Sequence, residues 1–306
     1  MGSGSFSHDS FLSYSRSCGK TIDDDGLITS GQSWHARRMK DTLNPHGVIR
    51  ECVDSEEHPN VIPVIIGLDV TGSMGNACKT TANKLAVIVK SLYNQFKDIE
   101  IMFMGIGDFE CDEAPLQVTQ FESDVRIAQQ LDDLYMEHGG GGNSYESYTS
   151  AWYFALYRTK IDAITKRGQK GIIITMGDEP LNPTLPRNRF KQYLGLDEVS
   201  ELNTKKLYKR VSEKFDVYHI SVDDDQNRYR RNNRYEHEVD DSFKAVLGQN
   251  YFVSPIDDLD KTIVDCISKS VSNSTFDRVV IHDSEPTTET IEIFHDKVDE
   301  TGGIVW

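Results

Sequence analysis

One carboxylate and two hydroxyls alternate with spacer residues in Asp69-Val70-Thr71-Gly72-Ser73, directly after the apolar run Val64-Ile65-Ile66-Gly67-Leu68. A short apolar run rich in β-branched residues predicts a buried strand. The three oxygen-bearing side chains then fall on a tight turn at its carboxyl end, where open α/β sheets place their ligands. Two hydroxyls beside a single carboxylate are hard donors, suited to Mg²⁺, Mn²⁺ or Ca²⁺ and not to zinc. The same residue types also allow a plain polar turn that caps the following helix.

A second segment carries the same signature, because Gly171-Ile172-Ile173-Ile174-Thr175-Met176-Gly177-Asp178 again runs an apolar strand into an aspartate. Other motifs fit the first loop less well. An aspartic protease needs its aspartate directly before Thr-Gly, and here Val70 intervenes. A dehalogenase-type phosphatase needs a second carboxylate two residues on, where Thr71 stands. A P-loop needs a lysine after its last glycine, which Met74-Gly75 does not supply.

Asp69-x-Thr71-x-Ser73 with the Asp178 strand resembles the metal-ion-dependent adhesion site of von Willebrand factor type A domains, over about residues 60–271. In that family a Gly-rich loop between the two strands supplies a further ligand, usually threonine. Here the loop reads His138-Gly139-Gly140-Gly141-Gly142-Asn143-Ser144-Tyr145-Glu146, most similar to variant bacterial and alpha-kinase-associated domains. The resemblance puts Asn143 in the threonine's place, with Ser144 as the substitute, and Glu146 is read as capping or bracing the next helix. The implied metal ligands are Asp69, Thr71, Ser73, Asn143 and Asp178, around Mg²⁺ or alternatively Mn²⁺ or Ca²⁺. Asp69 and Asp178 act partly through water or by orienting the hydroxyls.

The implied function is non-enzymatic: a protein partner's Asp or Glu fills the open coordination position, so that the ion bridges two proteins. The resemblance points to an intracellular bacterial or phage adaptor beside an ATPase or kinase. A structural component of a phage particle, contacting other particle subunits, is the alternative, with a metal-dependent phosphotransfer or hydrolytic enzyme behind it. No general base lies within the motif loops, so no catalytic residue is assigned.

The chain of 306 residues reads as one core with arms: residues 1–60, a domain at 61–271 and a β-rich stretch at 272–306. Strands expected at Val64–Asp69, Ile99–Ile106, 116–121, Ile172–Met176, 215–222 and 251–253 alternate with helices expected after Met74, from Ser123, at 145–158, at 197–214, at 240–247 and from a Ser254-Pro255 capping box. That alternation predicts an α/β fold with a doubly wound, mostly parallel sheet and helices on both faces. The short acidic connection at 107–113 allows 116–121 to return antiparallel. Phe11, Leu12, Tyr14, Trp34 and Met39 are too apolar for a free tail and predict an N-terminal segment packed on the core or on a partner.

A formal charge of −16 argues against nucleic acid and anionic membranes as partners. The 5 cysteines show no paired spacing, no run of about 18 apolar residues exists, and the Ser-rich start lacks signal-peptide blocks. A reducing compartment is expected, the cytoplasm or a phage particle. Arg228, Arg230, Arg231 and Arg234 lie between acidic runs and are read as an internal salt-bridge loop, while His138, His219 and His237 are read as structural.

Overall fold

The computed structural model describes residues 4–23, 27–30, 36–96, 98–137, 145–223 and 233–273, with backbone alone at 73, 75–79, 81–82, 85–86, 233–236 and 273. Its elements run α1 (His8–Ser17), β1 (Thr21–Ile22), β2 (Ile28–Ser30), β3 (Arg50–Cys52), β4 (Ile62–Asp69), α2 (Gly75–Gln95), β5 (Ile99–Ile106), β6 (Leu116–Val118) and α3 (Arg126–Asp132). Then follow α4 (Thr149–Tyr157), β7 (Thr159–Ile161), α5 (Asp162–Thr165), β8 (Gly171–Gly177), α6 (Arg187–Leu194), α7 (Thr204–Val211), β9 (Phe215–Asp223), α8 (Asn233–Leu247), β10 (Tyr251–Pro255) and α9 (Leu259–Asn273). Among the described residues no helix is long and apolar enough to cross a membrane.

A mixed α/β fold results, centred on a six-stranded sheet in the order β10-β9-β8-β4-β5-β6. Five strands are parallel, and β6 alone returns antiparallel along β5 as the short connection allows. The sheet is buried on both faces because alternate residues of its apolar strands serve different cores. Val64, Ile66 and Leu68 of β4 join Ile172 and Ile174 of β8 in a cluster with Val89 and Leu92 of α2 and Ile263 and Ile267 of α9. Ile65, Met102, Ile173 and Val217 point the other way, onto Trp152 of α4, Leu207 of α7 and Phe243 of α8.

Several expected boundaries move. Ser123 does not cap α3, whose N-cap is Val125; its hydroxyl donates to the Gly4 carbonyl at 2.6 Å. The segment 197–214 is helical over Thr204–Val211, where the Asn203 side chain accepts from the Lys206 amide. The Ser254 capping box does not form, since Ser254 donates to its neighbour's carbonyl at 3.1 Å and a short 3-10 turn precedes α9. The unexpected α6 starts behind Pro186 and ends at Gly195, whose φ of 62° is the left-handed conformation that glycine adopts without strain. The arginine cluster at 228–234 lies largely outside the described residues, its side chains wholly so. The β-rich pieces at 279–281 and 291–294 and the apolar terminus also lie outside them.

The N-terminal segment packs on the sheet. Phe11 is buried in the same cluster as β4 and β8, and Phe6 packs against both Phe11 and Tyr93. Lys20 and Tyr14 both bond Asp132 of α3, the lysine in a buried ion pair at 2.5 Å. β3 adds in parallel to β7. Loss of this packing costs transfer energy and leaves a cavity. Phe11→Ala is expected to lower unfolding free energy by about 3–5 kcal/mol in a denaturant titration. A change under about 1 kcal/mol would show that the segment merely rests on the sheet.

Candidate functional site

The two aspartates leave the same end of neighbouring strands. β4 and β8 pair in parallel through Leu68 opposite Met176, one residue before Asp69 and two before Asp178. Both carboxylates are fully buried, and Thr71 is 4% exposed. Asp69 divides its oxygens between two partners. Oδ1 accepts the Thr71 amide at 3.0 Å and the Thr71 hydroxyl at 2.6 Å, while Oδ2 accepts the Tyr148 hydroxyl at 2.8 Å. A threonine that donates its hydrogen to a carboxylate keeps its lone pairs for another ligand.

Tyr148 joins the two strand ends, for its hydroxyl also accepts the Glu179 amide at 3.3 Å. Gly177 makes room for it: a Cβ there would lie 1.9 Å from the tyrosine oxygen. The Gly-rich loop is anchored at its flanks, with the Glu137 amide donating to the Val70 carbonyl at 2.9 Å and the Ser147 amide to Gly107 at 3.2 Å. Asn143 and Ser144 fall outside the described residues. Ser73 sits in the 3-10 turn Gly72–Met74, its side chain likewise outside the description.

Glu146 has a different place from the expected cap. α4 starts at Thr149 behind Tyr148 and has no side-chain cap. The Glu146 carboxyl is buried instead beside the two strand ends, and its Oε2 has no hydrogen-bond partner among the described residues. Glu179 is buried there as well. Burial first and the charge of Asp178 second push Asp69 up to about 7, against the hydrogen bonds from Thr71 and Tyr148. Burial, then Asp69 and Asp178, push Glu179 up to about 8. Glu146 is driven well above the ordinary carboxylate range by burial, Asp69 and Glu179 in turn.

Tyr148, Glu146 and Glu179 were not expected as site residues. The Asp178-Glu179 doublet was the available signal for one of them. Tyr148 gave none, since α4 is apolar on nearly all sides and shows no helical period against which a polar role stands out. The expectation for His219 agrees with its position: it is buried, 2.9 Å from the Thr175 hydroxyl and stacked on Phe243 at 3.6 Å. Asp108 and Asp112 bind their own loop, the Asp108 amide donating to Asp112 at 2.7 Å. Among the described residues no three His, Cys, Asp or Glu side chains form a metal-holding group. A set of hydroxyls with aspartates is of another type.

The donor chemistry nevertheless fits a hard divalent cation. The buried Asp178 raises the pKa of Asp69, a Glu146 oxygen beside them has no hydrogen-bond partner among the described residues, and the Thr71 hydroxyl is pre-oriented by Asp69. Such an arrangement favours a positive charge among these oxygens.

No family model matches the chain, and no curated protein matches it in sequence. Among solved structures, the pilus adhesin SpaC from Lactobacillus rhamnosus GG, in its open conformation, aligns at TM-score 0.44 and 10% identity over 74% of this chain and 31% of the adhesin. Proximal thread matrix protein 1 from the mussel byssus aligns at TM-score 0.42 and 12% identity over 70% of this chain and 46% of its own. The chain thus spans less than half the length of either.

The raised carboxyls set a pH dependence. In the unfolded chain they ionise near pH 4, whereas in the fold Asp69 holds its proton to about 7 and Glu179 to about 8. Between those limits the folded state binds more protons, so stability falls as pH rises. In chelator, unfolding free energy is expected to fall between pH 5 and pH 8 by on the order of 1 kcal/mol per pH unit per carboxyl. Asp69→Asn should flatten this slope. Equal slopes in the two proteins would contradict it.

Proposed function

We propose that the chain is a doubly wound domain of the von Willebrand factor type A kind, which docks a protein partner through a divalent cation held at Asp69, Thr71, Ser73 and Asp178. The observation that carries this reading is where the two aspartates lie in the sheet order. Numbered along the chain, the six central strands read 3-2-1-4-5-6, with the third antiparallel. β4 connects onward to β5 on one side and has β8 on the other. Ligands of open α/β sheets bind at such a switch point, beyond the carboxyl ends of the strands. Asp69 and Asp178 flank that point.

Thr71 and Ser73 would hold the ion through their hydroxyls, Asp178 directly or through water, and Asn143 from the Gly-rich loop. Asp69 orients Thr71, and Tyr148 fixes Asp69 in turn. The ion would supply positive charge to a buried acidic site, and with it an attraction for a partner's carboxylate that this acidic chain otherwise lacks. An ion bound by few charged ligands is held weakly until the partner completes its shell.

Thermal melts with chelator and with Mn²⁺ test the reading. Wild type is expected to gain several degrees at saturating Mn²⁺, because a ligand that binds only the folded state stabilises it by mass action. Asp69→Ala and Asp178→Asn should gain none. In chelator Asp178→Asn should melt no lower than wild type at pH 8, since it removes a like charge beside Asp69. Equal Mn²⁺ shifts in all three proteins would contradict the assignment.

A further inference from the structure

Among the described residues, the buried Lys20 and the half-buried Arg167 each meet an acid. Lys20 pairs with Asp132, and Arg167 pairs with Asp54. Arg50 does not. It is 7% exposed, at the start of β3, and among the described residues it forms no ion pair. Its Nη2 donates to the Thr42 carbonyl at 2.7 Å and to the Val118 carbonyl at 2.9 Å. Its Nε is buried without a partner. Burial pulls its pKa below arginine's ordinary value. Arginine is rarely buried without an anion, and an unpaired guanidinium is a costly group to keep.

Arg50 lines an open cleft of about 470 Å³, a size that suits small ligands. Leu43 and Val48 give the cleft an apolar wall, and Asp41, Asp133 and Gln130 also line it. Lys40 pairs with Asp133, which leaves Asp41 as the acid without an ion pair among the described residues. A polyanion is repelled by this rim. A molecule with one carboxylate and one ammonium meets an opposite charge at both groups.

We propose that the Arg50 cleft is a binding site for a small zwitterion of the amino-acid type, its carboxylate at Arg50, its ammonium toward Asp41 and its side chain against Leu43 and Val48. The site is independent of the metal-site reading, since Arg50 lies on β3, beyond the edge strand β6, and shares no residue with the Asp69 loop. Nη1 donates to nothing among the described residues and is not one of the closed-off atoms, so it is the guanidinium nitrogen with donors ready for a charge-assisted hydrogen bond.

Three matched probes separate the charges: L-leucine, 4-methylpentanoate, which lacks the ammonium, and isopentylamine, which lacks the carboxylate. The readout is the Arg50 Nε–H resonance of the full chain, labelled with ¹⁵N. It should move saturably with L-leucine, with at least tenfold weaker affinity for 4-methylpentanoate, and not at all with isopentylamine. Asp41→Asn should remove the preference for leucine. Arg50→Met risks unfolding, because Nη2 ties two carbonyls together, so Thr42→Trp, on an exposed residue of the cleft, serves as the blocking variant and should abolish the shift. No saturable movement with L-leucine, equal affinity for leucine and 4-methylpentanoate, or an undiminished shift in Thr42→Trp would each overturn the proposal.

Discussion

The Asp69 carboxylate is the point on which the site's geometry depends. One oxygen fixes the turn that follows β4, through the amide and hydroxyl of Thr71, and the other receives Tyr148 from the start of α4. Tyr148 in turn holds the backbone just after β8. Three segments distant in sequence are thereby set at the carboxyl edge of a parallel sheet by bonds of 2.6–3.3 Å. Their burial makes these bonds matter more than surface ones would, because an unmet donor or acceptor there loses its solvation without compensation. Gly177 is part of the same constraint, since any side chain there would occupy the tyrosine's position.

The same burial creates an electrostatic problem. Asp69, Asp178, Glu146 and Glu179 lie within range of one another's charge, in a chain whose formal charge is already −16. Two solutions exist for such a group: protonation, or a cation. The raised pKa values describe the first, and the proposed divalent ion is the second. Protonation and metal binding therefore compete. The affinity for a cation is expected to rise with pH in the range where metal-free stability declines.

Much of this was legible in the chain. β4 and β8 read clearly, because apolar runs buried on both faces, broken by a polar side chain only at Thr175, lead to the aspartate that ends each. Antiparallel β6 followed from the short connection before it. Less legible were features decided by tertiary contact. Ser123 and Ser254 look like helix caps, yet their hydroxyls bond carbonyls nearby in space or sequence. α6 was hidden by the prolines around it. Nothing in the sequence singles out Arg50, and only the fold brings its guanidinium to the Val118 carbonyl of β6. At the site, the aspartates were visible through their spacing. Tyr148 was not, because a fully buried helix hides a polar tip among aromatic bodies.

Anomalous scattering from crystals grown with Mn²⁺ tests the central claim most directly. The account predicts one strong peak at coordination distance from the Thr71 and Ser73 hydroxyls, between the ends of β4 and β8, and its absence in Asp178→Asn crystals. No peak there, or a peak among Asp108, Asp112 and Glu113 with the Asp69 turn left empty, would contradict it.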